Sequence, residues 1–150
     1  MAERPVEILL VEDSQHDVII AHQALSRSPF KHRLWVARDG EEALDFLFRR
    51  APYTDPQRAP RPDLVLLDLN LPRVNGFDVL RAVKNHPELR SLPVIMLSTS
   101  EREEDVSTSY LLGANTFISK PLEFDRFQSI IRVIYEYWVQ IARLPSTRDF

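Results

Sequence analysis

No cysteine occurs in the 150 residues, which rules out disulfides, thiolate metal sites and cysteine nucleophiles. Glycine is scarce. Gly40, Gly76 and Gly113 are the three present, and each falls at a predicted turn, helix entry or helix exit. None is left to build a phosphate-cradling loop of the GxGxxG or GxxxxGK[ST] type. No apolar run approaches the roughly 18 residues that a membrane span needs, and Met1-Ala2-Glu3-Arg4-Pro5 is not a signal peptide. A cytoplasmic location without membrane association is the default expectation. A net charge of −3 leaves no case for a broad basic face and hence for nucleic acid. Repeats and low-complexity tracts are also lacking. What remains, 44% hydrophobic and 27% charged, is the balance of an ordinary globular protein. One domain is expected over 1–150, with a core from about 6 to 142 and a tail at 143–150.

Four short apolar runs each end on a polar residue. Ile8-Leu9-Leu10-Val11 meets Glu12-Asp13, Leu64-Val65-Leu66-Leu67 meets Asp68, Val94-Ile95-Met96-Leu97 meets Ser98, and Thr116-Phe117-Ile118-Ser119 meets Lys120. Runs rich in Val, Ile and Leu read as strands buried on both faces of a parallel sheet. Parallel strands end on one edge, where open α/β sheets bind ligands. The spacing predicts strands at 6–11, 32–37, 64–68, 94–98 and 116–119, the second more polar and therefore at an edge. Helices are predicted at about 15–27, with Val18, Ala21, His22 and Leu25 at helical spacing; at 41–50; at 75–85, with Val79, Leu80 and Val83 on one face; at 102–112; and as one long helix at 123–142. Pro52, Pro56, Pro60 and Pro62 make 51–62 a surface loop. The fold class is α/β: a doubly wound five-stranded parallel sheet with an extended C-terminal helix.

Glu12, Asp13 and Asp68 sharing one edge would repel each other, so the fold must compensate them. A hard divalent cation such as Mg²⁺ does so with oxygen ligands. A metal-bound phosphate beside a free carboxylate suits phosphoryl transfer onto that carboxylate. Lys120 adds a cation able to pair with Asp68 or with a phosphoryl oxygen, and Ser98 offers a hydroxyl donor. Taken singly, each has a plainer reading: Glu12-Asp13 as a helix cap, Asp68 and Ser98 as strand-end turn residues, Lys120 as a surface lysine. His16, His22, His32 and His86 all lie off this edge, on predicted helices or the edge strand, so no Ser-His-Asp arrangement is available.

Over about residues 6–140 the chain resembles the receiver domains of two-component response regulators. The resemblance is carried by Glu12-Asp13, by Asp68 followed by Asn70, Leu71-Pro72 and Gly76, by Ser98 thirty residues after Asp68, and by Lys120-Pro121 twenty-two after that. It implies a flavodoxin-like strand order 2-1-3-4-5 and Asp68 as phospho-acceptor. It also implies Mg²⁺ held by Glu12, Asp13, Asp68 and the Asn70 backbone carbonyl. Ser98 then contacts the phosphoryl group and Lys120 neutralises it, while Asn70 and Ser100 occupy rate-tuning positions. Ser98 and Phe117 fall at the switch positions; Phe117 lacks a tyrosine hydroxyl, so only packing can bias it, and it reads equally as plain core. A cis Lys120–Pro121 bond is a further family expectation. The implied phosphodonor is a sensor histidine kinase. Catalysis is confined to the chain's own phosphorylation and dephosphorylation, so it is not an enzyme in the ordinary sense.

The long 51–62 loop, Asp68-Leu69-Asn70-Leu71-Pro72 and the aromatic last helix give a narrower resemblance, to the regulators paired with bacterial and cyanobacterial phytochromes. Those are single-domain and commonly homodimeric. Tyr137, Trp138, Ile141 and Leu144 look surplus to one helix stripe and are the candidate dimer or partner surface; the alternative is a tail folded on its own domain. Other classes fit less well. Asp-nucleophile phosphatases place a second Asp where Asn70 stands, and a flavin module needs a phosphate loop where Glu12-Asp13-Ser14-Gln15 stands. A phosphorylation-independent scaffold is the remaining alternative.

Overall fold

The computed structural model describes residues 4–145. Strands β1 (Val6–Val11), β2 (His32–Ala37), β3 (Leu64–Asp68), β4 (Val94–Ser98) and β5 (Thr116–Ser119) pair in parallel in the order β2-β1-β3-β4-β5. Helices α1 (Gln15–Ser26), α2 (Gly40–Leu47), α3 (Gly76–Lys84), α4 (Glu103–Leu111) and α5 (Phe124–Tyr135) follow the strands in turn. This is the expected doubly wound, flavodoxin-like sheet, with the more polar β2 at one edge.

The period of two along each strand divides the core. Ile8, Leu10, Leu64, Leu66, Ile95 and Leu97 face α1 and α5, whose Val18, Leu25, Phe127 and Ile131 cover them. Leu9, Val11, Val65, Leu67, Val94 and Met96 face the opposite way, toward α2 and α3. Because both faces are covered, the central strands β1, β3 and β4 are buried along their length except at Val6. Three helices are started by side-chain caps. Ser14 Oγ accepts from the Asp17 amide (3.3 Å), Asp39 Oδ1 from the Glu42 amide (2.7 Å) and Asn75 Oδ1 from the Asp78 amide (3.0 Å). Ser14 and Asp39 turn the chain directly after β1 and β2, while Asn75 starts α3 after the 69–74 loop.

The structure corrects several expectations. On α1 Val18, Ala21 and Leu25 are buried as expected, but Ile20 and Ala24 join them in place of His22, which is exposed. His86 lies in the turn after α3, half-buried against Phe48, rather than on a helix or strand. Helix α2 ends three residues early, at Leu47, and Arg49 in the left-handed region (φ 55°) turns the chain into the proline-rich loop. That loop is not wholly superficial: Ala59 is buried, and Tyr53 stacks edge-on against Phe46 while donating to Glu42 Oε1 (2.8 Å).

Among the described residues the cis peptide bond is Ala51–Pro52; Lys120–Pro121 is not cis. The trans preference of X-Pro is only about 0.5–1 kcal/mol, so the presence of a proline does not fix the isomer. The long last helix is α-helical only to Tyr135 and continues as a wider π-helical segment, Glu136–Ile141, closed by the Ala142 amide on Tyr137 O (2.6 Å). A reading based on a 3.6-residue period cannot anticipate such i→i+5 turns.

Candidate functional site

Strand register brings the predicted residues together. Val11 pairs with Leu67, so Glu12 and Asp68 leave neighbouring strands at the same level. Asp68 pairs with Leu97, and Ser98 with Ser119, which sets Ser98 and Lys120 one step further out on β4 and the end of β5. The Lys120 amide donates to Ser98 O (2.7 Å), locking the last two ends together. Glu12, Asp68, Ser98 and Lys120 are all buried, whereas Asp13 is exposed.

Glu12, Asp13 and Asp68 each offer a carboxylate oxygen, all within 4.8 Å of one another. Their compensating charge is Lys120, whose Nζ contacts Glu12 Oε1 as its nearest partner, then Asp17 Oδ2 (3.0 Å) and Asp68 Oδ2 (3.5 Å). Three ammonium hydrogens thus meet three carboxylates. The expected pairing of Lys120 with Asp68 is present, though Glu12 and Asp17 lie closer. Burial pushes the Glu12 carboxyl up to about 7, with the charge of Asp68 adding and Lys120 opposing. For Lys120 burial acts downward but is outweighed by the hydrogen bond to Glu12 and the charge of Asp68, so its pKa is raised.

The remaining predicted residues lie around this cluster. The Asn70 amide donates to Asp68 Oδ1 (3.3 Å). Ser98 Oγ accepts from the Ser100 amide (3.0 Å). Ser100, at a rate-tuning position, has its hydroxyl engaged: it donates to Asp105 Oδ2 (2.5 Å) and accepts from the Arg102 amide (3.3 Å). Helix α4 has no capping side chain at Arg102, so Ser100 serves its entry instead. Phe117 is half-buried against the α2–α3 side of the core, and its amide donates to the Tyr110 hydroxyl (3.0 Å). Asp17 escaped the sequence reading. The available signal was its place one helical turn after Asp13, on the first turn of α1.

Away from the edge, Tyr137 and Ile141 are exposed as expected, whereas Trp138 is half-buried against the α1–α5 core and Leu144 is half-buried. Trp138 continues the stripe of buried Ile131, Ile134 and Tyr135 at helical spacing. Exposed Val133 joins Tyr137 along a groove of about 370 Å³ that also includes Thr116 and Ile118.

Comparison with known proteins decides the family. The response regulator receiver domain model matches residues 8–132. This chain belongs to the response regulator receiver family. The receiver is 38% identical over 142 residues to response regulator Rcp1 of Synechocystis sp., covering 95% of each chain. The phosphorylated cyanobacterial phytochrome response regulator RcpA superposes with a TM-score of 0.91 at 40% identity, covering 95% of the receiver and 100% of that chain. The Mn²⁺-bound form of Rcp1 gives 0.89 at 38%, with the same coverage. The bacteriophytochrome response regulator AtBRR gives 0.73 at 41%, covering 96% and 100%. No helix among the described residues is long and apolar enough to cross a membrane.

Proposed function

We propose that this chain is a single-domain response regulator that takes a phosphoryl group onto Asp68 from the phosphohistidine of a sensor histidine kinase and signals through protein contacts. The observation that carries this reading is the carboxylate triad at the sheet edge with Lys120 buried against it. An Asp68 oxygen attacks phosphorus. The P–N bond breaks as the P–O bond forms, and the departing imidazole nitrogen keeps the electron pair and takes a proton from water. Lys120 then faces the added phosphoryl oxygens, and Ser98 can turn its hydroxyl toward them by releasing the Ser100 amide.

An all-oxygen set of three carboxylates with one cation beside it fits a hard divalent ion, with Glu12, Asp13 and Asp68 as ligands; the Asn70 backbone carbonyl is the fourth ligand in this reading. When bound, Mg²⁺ would neutralise the carboxylates and the transferring phosphoryl oxygens. Ser98 and Phe117 are the switch pair in this reading, and phosphorylation shifts the population of their inward positions. Asn70 and Ser100 tune hydrolysis of the acyl phosphate; the bond from Ser100 to Asp105 favours an effect through the α4 entry. Labelling by acetyl phosphate in Mg²⁺ tests the assignment. Wild type should label and Asp68→Asn should not; equal labelling of the two rejects it.

A bacteriophytochrome is the proposed kinase, supported by the identity and near-complete coverage shared with RcpA and AtBRR. We further propose homodimerisation through the exposed surface of Val133, Tyr137 and Ile141. Equilibrium sedimentation should find a dimer at tens of micromolar, weakened by Tyr137→Ser with Ile141→Ser. A strict monomer, phosphorylated or not, would exclude it.

A further inference from the structure

Lys120 has three carboxylate partners, and they are not equivalent. Glu12 and Asp68 belong to the set whose oxygens lie within 4.8 Å of one another together with Asp13, and Asp17 does not. A divalent cation on that set would therefore draw on two of the three partners and leave Asp17 alone. Asp17 is also held in place independently of Lys120. Its amide donates to Ser14 Oγ (3.3 Å), and the Ser14 amide donates to Glu12 Oε2 (3.2 Å). The result is a closed ring, Lys120–Glu12–Ser14–Asp17–Lys120, that joins the end of β5 to the first turn of α1. The side chain of Asp17 is one-fifth exposed, so it stands at the rim of the buried cluster rather than inside it.

We infer that Asp17 is a positioning residue for Lys120, an inference that rests on the phosphoryl-transfer reading of this edge. Once a cation engages Glu12 and Asp68, Asp17 is the anion that keeps the ammonium against the site. Without it Lys120 has a four-carbon stem, strong hydration and, among the described residues, no carboxylate partner outside the cation set, only the face of the Phe127 ring at 6.0 Å. An ammonium that samples several positions is a poorer neutraliser of the arriving phosphoryl oxygens, because such stabilisation depends on the charge being in place beforehand. Asp17 touches neither the acceptor carboxylate nor the phosphoryl group in this scheme; it acts through Lys120.

The inference separates the rate of transfer from metal affinity. If Asp17 only added negative charge near the metal, Asp17→Asn would weaken Mg²⁺ binding, and saturating Mg²⁺ would restore labelling. If it positions Lys120, the maximal rate falls and the metal affinity hardly moves. Acetyl phosphate labelling as a function of Mg²⁺ gives the maximal rate, and calorimetric titration with Mg²⁺ gives affinity without turnover. For Asp17→Asn we expect the maximal rate to fall about tenfold, on the scale that small misplacement of a catalytic group produces. The Mg²⁺ dissociation constant should change by less than about twofold, and Asp17→Glu should recover most of the rate. Wild-type rate in Asp17→Asn, or a loss abolished by saturating Mg²⁺, overturns the inference. Thermal melts accompany both variants, and Asp17→Ala, under the same expectations, replaces Asp17→Asn if that variant does not fold. Failure of wild type itself to label would instead remove the phosphoryl-transfer reading on which the inference rests.

Discussion

Gly76→Ala should lower the melting temperature by about 6–12 °C, corresponding to about 3 kcal/mol at 2–4 °C per kcal/mol for a chain of this size. At an unhindered helix start the same change would be neutral or favourable, because alanine has the better helix propensity by up to about 1 kcal/mol. Here a Cβ would stand 2.3 Å from Asp68 O and 2.7 Å from Leu69 Cα. Both are backbone atoms at the buried end of β3, so no side-chain rotation relieves the contact. The Gly76 amide is also tied to Leu69 O (2.9 Å), which fixes the helix entry against the strand end. Relief must come from moving the backbone that carries Asp68, so acetyl phosphate labelling should fall along with stability. Gly113→Ala is the informative control. Its φ of 105° makes alanine strained, at about 1–2 kcal/mol, but its nearest neighbour is the flexible Lys84 side chain, far in sequence from the acceptor. It should melt earlier and label normally. A Gly76→Ala protein that melts like wild type would show that α3 can slide away from β3 without cost.

The sheet and most of the site were legible because parallel strands buried on both faces leave an unambiguous trace. Ile8 to Val11, Leu64 to Leu67 and Val94 to Leu97 have no polar interruption, and the residue that ends each run is necessarily at the edge. Register then follows from topology, and with it the meeting of Glu12, Asp68, Ser98 and Lys120. What sequence could not supply was partner choice within the cluster. Which carboxylate Lys120 prefers depends on side-chain reach across α1 and β5, elements separated by some hundred residues, and the place of Asp17 on α1 does not by itself tie it to Lys120. Ser100 is a similar case: its position relative to Ser98 was readable, but its commitment to Asp105 depends on α4 lacking a capping side chain. The C-terminal helix misled for a different reason. Its apolar residues outnumber one stripe: Trp138 continues the stripe of Ile131, Ile134 and Tyr135 toward the core, while Ile141, at the end of the π-helical segment, stays exposed.

Lys120→Met should be more damaging than the loss of one salt bridge suggests, and its partner substitution should repair part of the damage. The ammonium is nearly inaccessible and lies against Glu12, Asp17 and Asp68. Methionine keeps the length of the chain but leaves Glu12 buried with Asp68 beside it and no cation. Breaking a buried pair from one side costs about 3–5 kcal/mol, because the remaining charge has lost both water and partner. Removing that charge as well should recover stability, so Glu12→Gln with Lys120→Met should melt above Lys120→Met alone. A coupling of about 1 kcal/mol or more is expected in the double-mutant cycle. The cost should also depend on pH. With Lys120 present the Glu12 carboxyl is already pushed up to about 7 by burial first and Asp68 second, and removing the lysine takes away the main influence that opposes them. A carboxyl whose folded pKa lies above its unfolded value favours the folded state at low pH and loses that contribution as pH rises through the folded value. The deficit of Lys120→Met relative to wild type should therefore be larger at pH 8 than at pH 6, in EDTA to keep metal out of the comparison. The double variant, having no carboxyl at position 12, should lose most of that pH dependence. Melting curves of the four proteins at the two pH values settle it: a deficit that is the same at both, or a double variant no more stable than Lys120→Met, would mean that Lys120 stabilises the fold by packing and not by holding Glu12 ionised.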